Sequence, residues 1–240
     1  MFRAKNLVCA FRAFSVQAAK IDAAKAKKLQ EVAMHKEKCI LVDNNGRSLG
    51  PISKYDCHRV EGGHVKAHRG FSVYLFNTQG QMLLQKRSKY KFTYPDLYTN
   101  TICSHPLYNI EEERDELNEI GVRLAAQRRL NYELGIPVHQ IDPESFHYMT
   151  RIHYEHLGDG TWGEHEIAYM FVLQGDFHLN PNPSEISEIR FITKEELDKE
   201  IQFAPLTPWF NLLLKKHFIR TWWDNLENLD KVKDHEIQRF

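Results

Sequence analysis

Apolar residues recur along the first half of the chain in short runs separated by turn signals, a pattern typical of β-strands. The run Lys38–Asp43 comes first and is followed by the turn signal Asn44-Asn45-Gly46. The runs Phe71–Phe76 and Met82–Arg87 flank the turn segment Asn77–Gly80, and this arrangement predicts a β-hairpin. The first half of the chain is therefore predicted to build a sheet.

Strand-like runs return in the second half of the chain. Segments 146–156 and 166–173 predict two strands that are joined through the turn Gly158-Asp159-Gly160. A shorter run, Ser187–Ile192, follows the loop Pro181-Asn182-Pro183 and predicts an edge strand. These segments extend the predicted sheet.

A different spacing of apolar residues predicts one central helix between the two groups of strands. Its apolar positions, which lie at helical spacing, are Val122, Ala125, Ala126, Leu130 and Leu134. Gly135 and Pro137 end this helix, because glycine favours the position after the last turn and proline cannot continue a helix.

Two terminal segments complete the predicted architecture. Residues 23–37 are rich in Lys and Ala and predict a solvated helix or a linker ahead of a folded domain at residues 38–240. The segment Trp209–Leu229 is rich in Trp, Phe and Leu and predicts a helical C-terminal region. Strands mixed with one central helix and terminal helices favour an α+β sandwich whose sheet packs between helices.

The first 22 residues differ from the rest of the chain in charge. They contain the basic residues Arg3, Lys5, Arg12 and Lys20 and no acidic residue before Asp22. Apolar residues fall around these cations in a roughly amphipathic pattern, which favours a mitochondrial transit peptide at residues 1–22. The alternative is a tail with an accidental charge bias. In that case the protein is expected in the cytoplasm or in peroxisomes.

Composition narrows the class of protein. Lys+Arg and Asp+Glu number 32 each, so no net charge favours binding to nucleic acid. The chain has no run of about 18 apolar residues, and no membrane span is predicted. Four cysteines form no Cys-x-x-Cys motif, which fits a reducing compartment. A hydrophobic content of 42% allows a sizeable core, and we expect a monomer.

Two short polar pairs lie inside apolar sequence and are candidates for chemistry. Cys103 and His105 share one face if their segment is extended, and so do Glu164 and Glu166. A thiol and an imidazole on one face can form a nucleophile–base pair, an acid–base pair or half of a metal site. The alternative is that Cys103 is a small buried hydrophobe and His105 a structural histidine. The presence of a second pair favours one convergent site.

A metal site is a further interpretation of these residues. Three imidazoles and two carboxylates could bind one cation, and they belong to His58, His68, His105, Glu164 and Glu166. Mixed N and O ligands suit Zn²⁺, Mn²⁺ or Mg²⁺, and five or six ligands differ from a tetrahedral structural zinc site. The chain has 13 histidines, so other groupings remain open, with His64, His153, His156 or His165.

The helical segment Gln127–Ile136 resembles the core of a Nudix box, whose pattern is Arg-Glu-aliphatic-x-Glu-Glu-x-Gly-aliphatic. Arg129 and Tyr132 replace two of the three acids and leave Glu133. In a hydrolase those acids gather the cations that activate water on a diphosphate, and one carboxylate is too few for that task. Arg129 offers a phosphate-binding guanidinium, or an ordinary ion pair with Glu133 four residues further on.

Five longer motifs resemble those of one enzyme family, the type I isopentenyl-diphosphate isomerases, where they occur in the same order. The most C-terminal motif is typical of the eukaryotic members. The motifs are Thr99–Pro106, Ala126–Gly135, Thr161–Glu166, Thr207–Phe210 and Trp222–Leu226. The chain resembles this family from about Lys38 to its C-terminus. The resemblance implies a Nudix-like α/β/α sandwich with a mixed sheet and extra terminal helices.

The resemblance also implies an activity, the interconversion of isopentenyl and dimethylallyl diphosphate in isoprenoid and sterol biosynthesis. Cys103 and Glu166 are the implied acid–base pair. The implied cofactor is Mg²⁺, with Zn²⁺ or Mn²⁺ as alternatives at the His/Glu site. The implied metal ligands are His58, His68, His105, Glu133, Glu164 and Glu166. His64 is the alternative to His58. The residues implied to bind this small-molecule isoprenoid diphosphate are Lys54, Arg87, Lys91, Ser104, Arg129, Tyr154 and Trp209.

Two other functions compete with this one. A Nudix-type diphosphate hydrolase is the first, and Arg129 and Tyr132 disfavour it. A metal-stabilised binding module without catalysis is the second. Incubation with isopentenyl diphosphate separates the three, because they predict the allylic isomer, free phosphate or no product.

Overall fold

The computed structural model describes residues 15–200 and 204–240, so residues 1–14 of the predicted transit segment lie outside the described part of the chain. The strands are β1 (Ser15–Gln17), β2 (Lys38–Val42), β3 (Ser48–Ser53), β4 (His68–Phe76), β5 (Met82–Arg87), β6 (Tyr98–Thr99), β7 (Ile102–Ser104), β8 (His147–His156), β9 (Glu164–Gln174), β10 (Ile186–Ile192) and β11 (Ile237–Arg239). The α-helices are α1 (Ala23–Lys36), α2 (Lys54–His58), α3 (Ile120–Leu134), α4 (Lys194–Glu200), α5 (Pro208–Lys215) and α6 (Phe218–Asp224). Short 3₁₀ helices include Glu111–Arg114 and Leu117–Glu119.

One mixed sheet runs through the described residues in the order β1-β10-β5-β4-β9-β8-β11. Along this order β4 and β9 are parallel, as are β8 and β11, while the other neighbours are antiparallel. The expectation that Ser187–Ile192 is an edge strand was wrong, because β1 pairs with β10 through Val16 opposite Ile189. Strand β1 belongs to residues 1–22, the segment whose charge bias predicts a transit peptide.

The two strands of the predicted hairpin pair with each other only next to the turn. The Gly80 N–H donates to Asn77 O at 2.9 Å, and Phe76 pairs with Met82. Beyond that pair β4 and β5 separate, and β7 pairs with β4 while β6 pairs with β5. Segment 98–104 therefore fills the gap between the two strands.

Two buried polar side chains hold this segment in the gap. Asn100 Nδ2 donates to Val73 O at 3.1 Å. Thr101 Oγ1 donates to Leu83 O at 2.7 Å and accepts from the Leu75 N–H at 2.8 Å. Both side chains are completely buried, so they satisfy backbone groups that the separation of β4 and β5 would otherwise leave unpaired. They place β7 in the opening between the strands.

Side chains alternate along the central strands between two cores, as the period of two in a strand requires. On β4, Val73 and Leu75 pack on the side of α3, whereas Tyr74 and Phe76 pack on the side of α5 and α6. The sheet thus lies between helices on both faces. The predicted α+β sandwich, with a mixed sheet and terminal helices, is confirmed.

Helix α1 packs against the domain instead of lying free in solvent. Asp22 caps it by accepting from the Lys25 N–H at 2.9 Å. Its buried residues are Ala26, Gln30 and Met34, spaced four apart so that they share one face. Segment 23–37, predicted as a solvated helix or a linker, is therefore a helix with a buried face.

The central helix ends where the sequence predicts. Gly135 has φ of +70°, a conformation that suits glycine, and its N–H donates to Asn131 O at 2.9 Å. The predicted C-terminal helical region is divided into α5 and α6, and the chain then adds β11, which the pattern of apolar residues did not predict. Among the described residues, no helix combines the length and apolar character needed to span a bilayer.

Candidate active site

Three histidines and one glutamate converge where the parallel strands β4 and β9 begin. His58 ends α2, His68 begins β4, His105 follows β7, and Glu164 begins β9. One ligand atom of each lies within 4.8 Å of the others, and all four residues are buried. We call these four residues the histidine cluster.

Outer hydrogen bonds set the orientation of two of the rings. His58 Nδ1 donates to Lys54 O at 2.7 Å, and His68 Nδ1 donates to Lys66 O at 2.9 Å. A backbone carbonyl cannot donate, so each Nδ1 carries the proton and each Nε2 presents a lone pair to the centre. Such an outer bond is the usual support of a metal-binding histidine.

The residues of the histidine cluster satisfy one another only in part. His68 Nε2 lies 3.3 Å from His105 Nε2, and burial, with His68 and His58 close by, holds the pKa of His105 well below its usual range. Glu164 Oε2 lies 3.1 Å from His58 Nε2 but is buried without a well-formed hydrogen bond. Converging lone pairs and an unsatisfied carboxylate oxygen fit a divalent cation, for which imidazole and carboxylate are suitable ligands.

The two histidines that the sequence left as alternatives lie in different surroundings. The side chain of His64 is 82% exposed, and its nearest acidic partner is Glu155, at 3.7 Å. His58 is buried and belongs to the cluster. Of the other histidines that remained open, His153 and His165 face each other across β8 and β9 with Nε2 atoms 2.8 Å apart, and His156 Nδ1 lies 2.9 Å from the Tyr94 hydroxyl.

Glu166 lies beside the histidine cluster and contacts it through one oxygen. Its Oε1 is 2.9 Å from His105 Nε2, and its Oε2 accepts from the Tyr154 hydroxyl at 2.6 Å. Burial, together with the negative charge of Glu164, raises the pKa of Glu166 to about 8. In the metal-free protein this carboxyl group can therefore hold a proton near neutral pH.

A glycine on the neighbouring strand makes room for this carboxyl group. Gly70 of β4 lies two residues after His68, whose register partner on β9 is Glu166. A Cβ atom at position 70 would collide with Oε1 of Glu166, the end of a side chain that contacts His105 through one oxygen and Tyr154 through the other. Gly70 is needed here for close approach, and no pattern in the sequence singled it out.

Cys103 is presented to the same cavity by β7. Its Sγ is 3.5 Å from Arg87 Nη1. Burial raises the pKa of the thiol to about 12, although the positive charge of Arg87 acts in the opposite direction. The side chain is half-buried and lines the cavity together with Glu166. Near neutral pH the sulfur is therefore a thiol, which can donate a proton, and not a thiolate nucleophile.

Three cations at or near the cavity are largely buried, and each has a carboxylate partner. The pairs, with their N–O distances, are Lys54–Glu37 (2.6 Å), Lys91–Glu185 (2.6 Å) and Arg129–Glu133 (2.6 Å). We call these six residues the basic cluster. The ion pair that the sequence offered as one interpretation of Arg129 and Glu133 is present. It does not remove the other interpretation, because a guanidinium has five N–H donors.

One cavity connects the two clusters. Its lining residues are Lys54, His58, Arg87, Lys91, Thr93, Cys103, Ser104, His105, Tyr154, Glu164, Glu166 and Trp209. Most of the residues implied by the resemblance are among them. Three are not: His68, Arg129 and Glu133 are buried and do not line the cavity. Thr93 lines it and was not predicted.

An aromatic wall of the cavity is held in a fixed orientation. Trp209 Nε1 donates to Asn100 Oδ1 at 3.2 Å. The guanidinium carbon of Arg87 lies 5.6 Å from the centre of the Trp209 ring, and the edge of Tyr94 packs against the same ring at 5.3 Å. The ring therefore tolerates a cation at its face.

Several acids that support the site were missed by the sequence patterns. Glu113, in an acidic stretch, is buried and binds Arg128 Nη2 at 2.9 Å and the Leu107 N–H at 2.7 Å. Arg128 also donates to His105 O at 3.3 Å, so this pair ties the loop after β7 to α3. Glu37 and Glu185 were missed because each lies in a polar segment with no motif of its own.

Comparisons with known proteins agree on the family. A model of the NUDIX domain matches residues 66–210. The chain is 47% identical over 215 residues to isopentenyl-diphosphate Delta-isomerase 1 of Bos taurus, covering 86% of this chain and 93% of that protein. It is 41% identical over 221 residues to the isopentenyl-diphosphate Delta-isomerase of Dictyostelium discoideum, covering 88% and 92%.

A solved structure supports the fold independently. The crystal structure of DR0079 from Deinococcus radiodurans superimposes with a TM-score of 0.53, covering 75% of this chain and 98% of that one. The sequence identity is 18%, so this likeness concerns the fold alone. Because a NUDIX domain covers more than half of the chain and relatives above 40% identity cover most of it, this chain belongs to the isopentenyl-diphosphate Delta-isomerase family of NUDIX-domain proteins.

Proposed function

We propose that this protein interconverts isopentenyl diphosphate and dimethylallyl diphosphate. The observation that carries the proposal is that the Cys103 thiol and the Glu166 carboxyl group line one cavity that also reaches a basic cluster and an aromatic wall. The chain's relatives carry the name of this activity. Isomerisation needs two groups that exchange protons with one substrate, and this cavity supplies them.

The proton balance of the reaction matches the two groups. One group donates a proton to the terminal alkene carbon, and the other removes a proton from the carbon two positions away. The double bond moves by one carbon and the substrate gains and loses one proton. The pair then returns to its starting state by exchanging a proton with water. Cys103 and Glu166 fit these roles, because the donor must start protonated and the acceptor ionised: Cys103 is a thiol near neutral pH, and Glu166, with a pKa of about 8, can take its ionised form there.

The intermediate between the two proton transfers explains the aromatic wall. Protonation of the alkene gives a tertiary carbocation, which water would trap as an alcohol, so the cavity must exclude water. The face of Trp209 stabilises such a cation, and Asn100 fixes the ring in position. Tyr154, hydrogen-bonded to Glu166, lies on the same side of the cavity as the carboxyl group it holds.

The diphosphate group is proposed to bind Lys54, Arg87, Lys91, Ser104 and Arg129. These contacts lie away from the reacting carbons and supply binding energy that holds the isoprenoid in place. Mg²⁺ is the proposed cofactor, with Zn²⁺ or Mn²⁺ as alternatives at the histidine cluster. His58, His68, His105, Glu164 and Glu166 would hold it, and Glu133 would hold Mg²⁺ at the diphosphate. A cation at the histidine cluster would neutralise Glu164 and anchor Glu166.

A diphosphate hydrolase is the competing function on the same fold. Hydrolysis in this fold needs several acids on the helix that carries Glu133, and Arg129 and Tyr132 stand at two of those positions. The Arg129 guanidinium packs 4.9 Å from the centre of the Tyr132 ring, so the two residues replace an acidic surface with a stacked cation. This arrangement favours binding of the diphosphate over its cleavage.

One assay separates these functions. The protein is incubated with isopentenyl diphosphate and Mg²⁺ in deuterated water, and products are followed by NMR. The expected product is dimethylallyl diphosphate with deuterium in its new methyl group. Free phosphate would identify a hydrolase, and unchanged substrate would contradict both enzymatic functions.

We further propose that residues 1–22 direct the protein to mitochondria and that it acts as a monomer. The charge bias of the segment supports the first proposal. Fusing residues 1–22 to a fluorescent protein tests it, and a diffuse cytosolic or peroxisomal signal would contradict it. Light scattering tests the second, and a mass of two chains would contradict it.

A further inference from the structure

Glu185 is a buried carboxylate whose two oxygens are both engaged. The residue is 4% exposed and lies in the loop before β10. Its Oε2 is 2.6 Å from Lys91 Nζ and 3.3 Å from Arg129 Nη2. Its Oε1 accepts from Gln30 Nε2 at 2.9 Å. One carboxylate thus joins two cations of the basic cluster to a residue of helix α1.

Gln30 fixes the orientation of this carboxylate. It is 6% exposed, and its Nε2 also donates to Ser184 O at 3.0 Å. Both hydrogens of the amide are therefore used, and they hold the Glu185 side chain and its backbone together. Gln30 lies outside residues 66–210, the part of the chain that matches the NUDIX domain. A segment that precedes the family domain thus supports its basic cluster.

Lys91 and Glu185 differ in their relation to the cavity. Lys91 lines it, whereas Glu185 is not one of the described residues that do. A Lys ammonium has three N–H donors and an Arg guanidinium has five, so contact with Glu185 leaves donors for a second anion. Burial lowers the pKa of Lys91, and the charge of Glu185 opposes that effect. The Glu185 carboxylate can therefore hold Lys91 in place and favour its protonated form. It does so without occupying the position of the substrate.

We propose that Glu185, held by Gln30, is a positioning residue that aims Lys91 and Arg129 at the diphosphate group of the substrate. This inference rests on the proposed function, in which both cations bind the diphosphate. It assigns to α1 a role in substrate affinity. The opposite role for Glu185 is competition, in which its negative charge keeps the diphosphate away from Lys91.

The two roles predict effects of opposite sign. Glu185→Gln keeps the size of the side chain and removes its charge. If Glu185 positions the cations, affinity for inorganic diphosphate with Mg²⁺ falls by about tenfold or more, because Lys91 and Arg129 lose the carboxylate that holds them in place. The Michaelis constant for isopentenyl diphosphate rises by a similar factor, while kcat changes by less than about threefold. Tighter binding of diphosphate would show competition and overturn the proposal.

Gln30→Leu tests the contribution of α1. We expect a smaller loss of diphosphate affinity, of about threefold, because the carboxylate remains but is less firmly oriented. Met34→Ala is the matched control, since Met34 is 4% exposed on the same face of α1 and touches neither Glu185 nor Lys91 in any hydrogen bond. Met34→Ala lowers the melting temperature and leaves diphosphate affinity unchanged. Equal losses of affinity in both variants would mean that α1 acts only through stability, which overturns the role of Gln30.

Further variants separate failure of this inference from failure of the proposed function. Lys91→Met tests whether the cation binds diphosphate at all: an unchanged Michaelis constant would overturn the proposed binding site and this inference with it. If Lys91→Met weakens binding and Glu185→Gln does not, the inference alone is overturned. Combining both substitutions should cost less affinity than the sum of the two, because Glu185 acts in part through Lys91. Additive losses would contradict that coupling.

Discussion

The two clusters that flank the cavity are built on opposite principles. In the basic cluster each cation has a carboxylate oxygen at 2.6 Å, so the folded chain satisfies its own charges. In the histidine cluster the nitrogens face one another, and Glu164 Oε2 and His105 Nδ1 are buried without a hydrogen bond. The charges of the basic cluster are satisfied within the chain. The unsatisfied atoms of the histidine cluster would be stabilised by a bound cation.

This difference indicates how each cluster relates stability to function. Buried ion pairs are costly to break, because removal of one partner leaves the other charge unpaired in a medium of low dielectric constant. Buried lone pairs that converge are costly to assemble, and a bound metal ion offsets that cost. The cavity therefore lies between a region that stabilises the free protein and a region whose residues fit a stabilising divalent cation.

The largest effect is expected from the thiol between the clusters. Cys103→Ala should lower isomerase turnover by about 10³-fold or more, because it removes a general acid–base group. Metal content and affinity for inorganic diphosphate should stay unchanged, since Cys103 belongs to neither cluster. Cys103→Ser should retain a trace of turnover, as a hydroxyl fills the space but gives up its proton less readily. Near-normal turnover of Cys103→Ala in deuterated water would contradict the role of the thiol.

A smaller effect is expected from the strand that faces Glu166. Gly70→Ala should lower turnover by about 10²-fold, because its Cβ displaces the Glu166 carboxyl group from His105 and misplaces it for proton transfer. Gly80→Ala is the control for loss of a glycine: it meets no atom within 4 Å, although its positive φ makes it mildly destabilising. Turnover that falls equally in both variants would assign the effect to stability.

The contrast between the clusters predicts opposite changes in the stability of the metal-free protein. Glu133→Gln should lower the free energy of unfolding by about 2 kcal/mol, because Arg129 loses its closest counter-charge. His105→Gln should leave it unchanged or raise it, since it removes a buried Nδ1 that has no hydrogen-bond partner while the amide can still contact Glu166. Urea unfolding with a chelator measures both. A destabilised His105→Gln variant would show that the histidine cluster is already satisfied without metal.

Adding a divalent metal ion sharpens the same test. The wild-type protein and Glu133→Gln should both gain thermal stability with the ion, because both keep the histidine cluster. His105→Gln should gain less, as it lacks one ligand. Equal stabilisation of all three proteins would place the metal elsewhere.

The smallest expected effect concerns the pH dependence of the thiol. Burial raises the pKa of Cys103 to about 12, so its thiolate fraction is small at pH 7 and grows about tenfold with each pH unit up to pH 10. Alkylation of Cys103 by iodoacetamide in the metal-free protein, followed by mass spectrometry of its peptide, should show that slope without a plateau near pH 8.5. A plateau at that pH would mean that Arg87 outweighs burial.

Much of the fold follows from local patterns. The spacing of Val122 to Leu134, with Gly135 after it, defines α3, because a helix is closed by hydrogen bonds four residues apart and its buried face recurs at 3.6 residues. The alternation on β4 and β9 is equally local. The strand that covers β10 was not predictable in this way, since pairing of Ser15–Gln17 with Ser187–Ile192 joins segments far apart in sequence.

Part of the candidate site was visible for the same reason. Cys103 with His105, and Glu164 with Glu166, lie two residues apart, and the structure places both pairs on the cavity. That His58 and not His64 joins the histidine cluster was not visible, because it depends on how α2 packs against β4 and β9. Nor was the role of Gly70, which is set by the distance between two strands.

By itself, the sequence determined the periodic elements, the short polar pairs and the motifs of the family, because these depend on residues close together in the chain. Tertiary structure alone decided which charges meet. Glu185 is 94 residues from Lys91 and 155 from Gln30. Their contact exists because sheet order brings the loop before β10 beside α1 and the loop after β5. Charged side chains carry no periodic signal of their partners, so only the packing of these elements selects them.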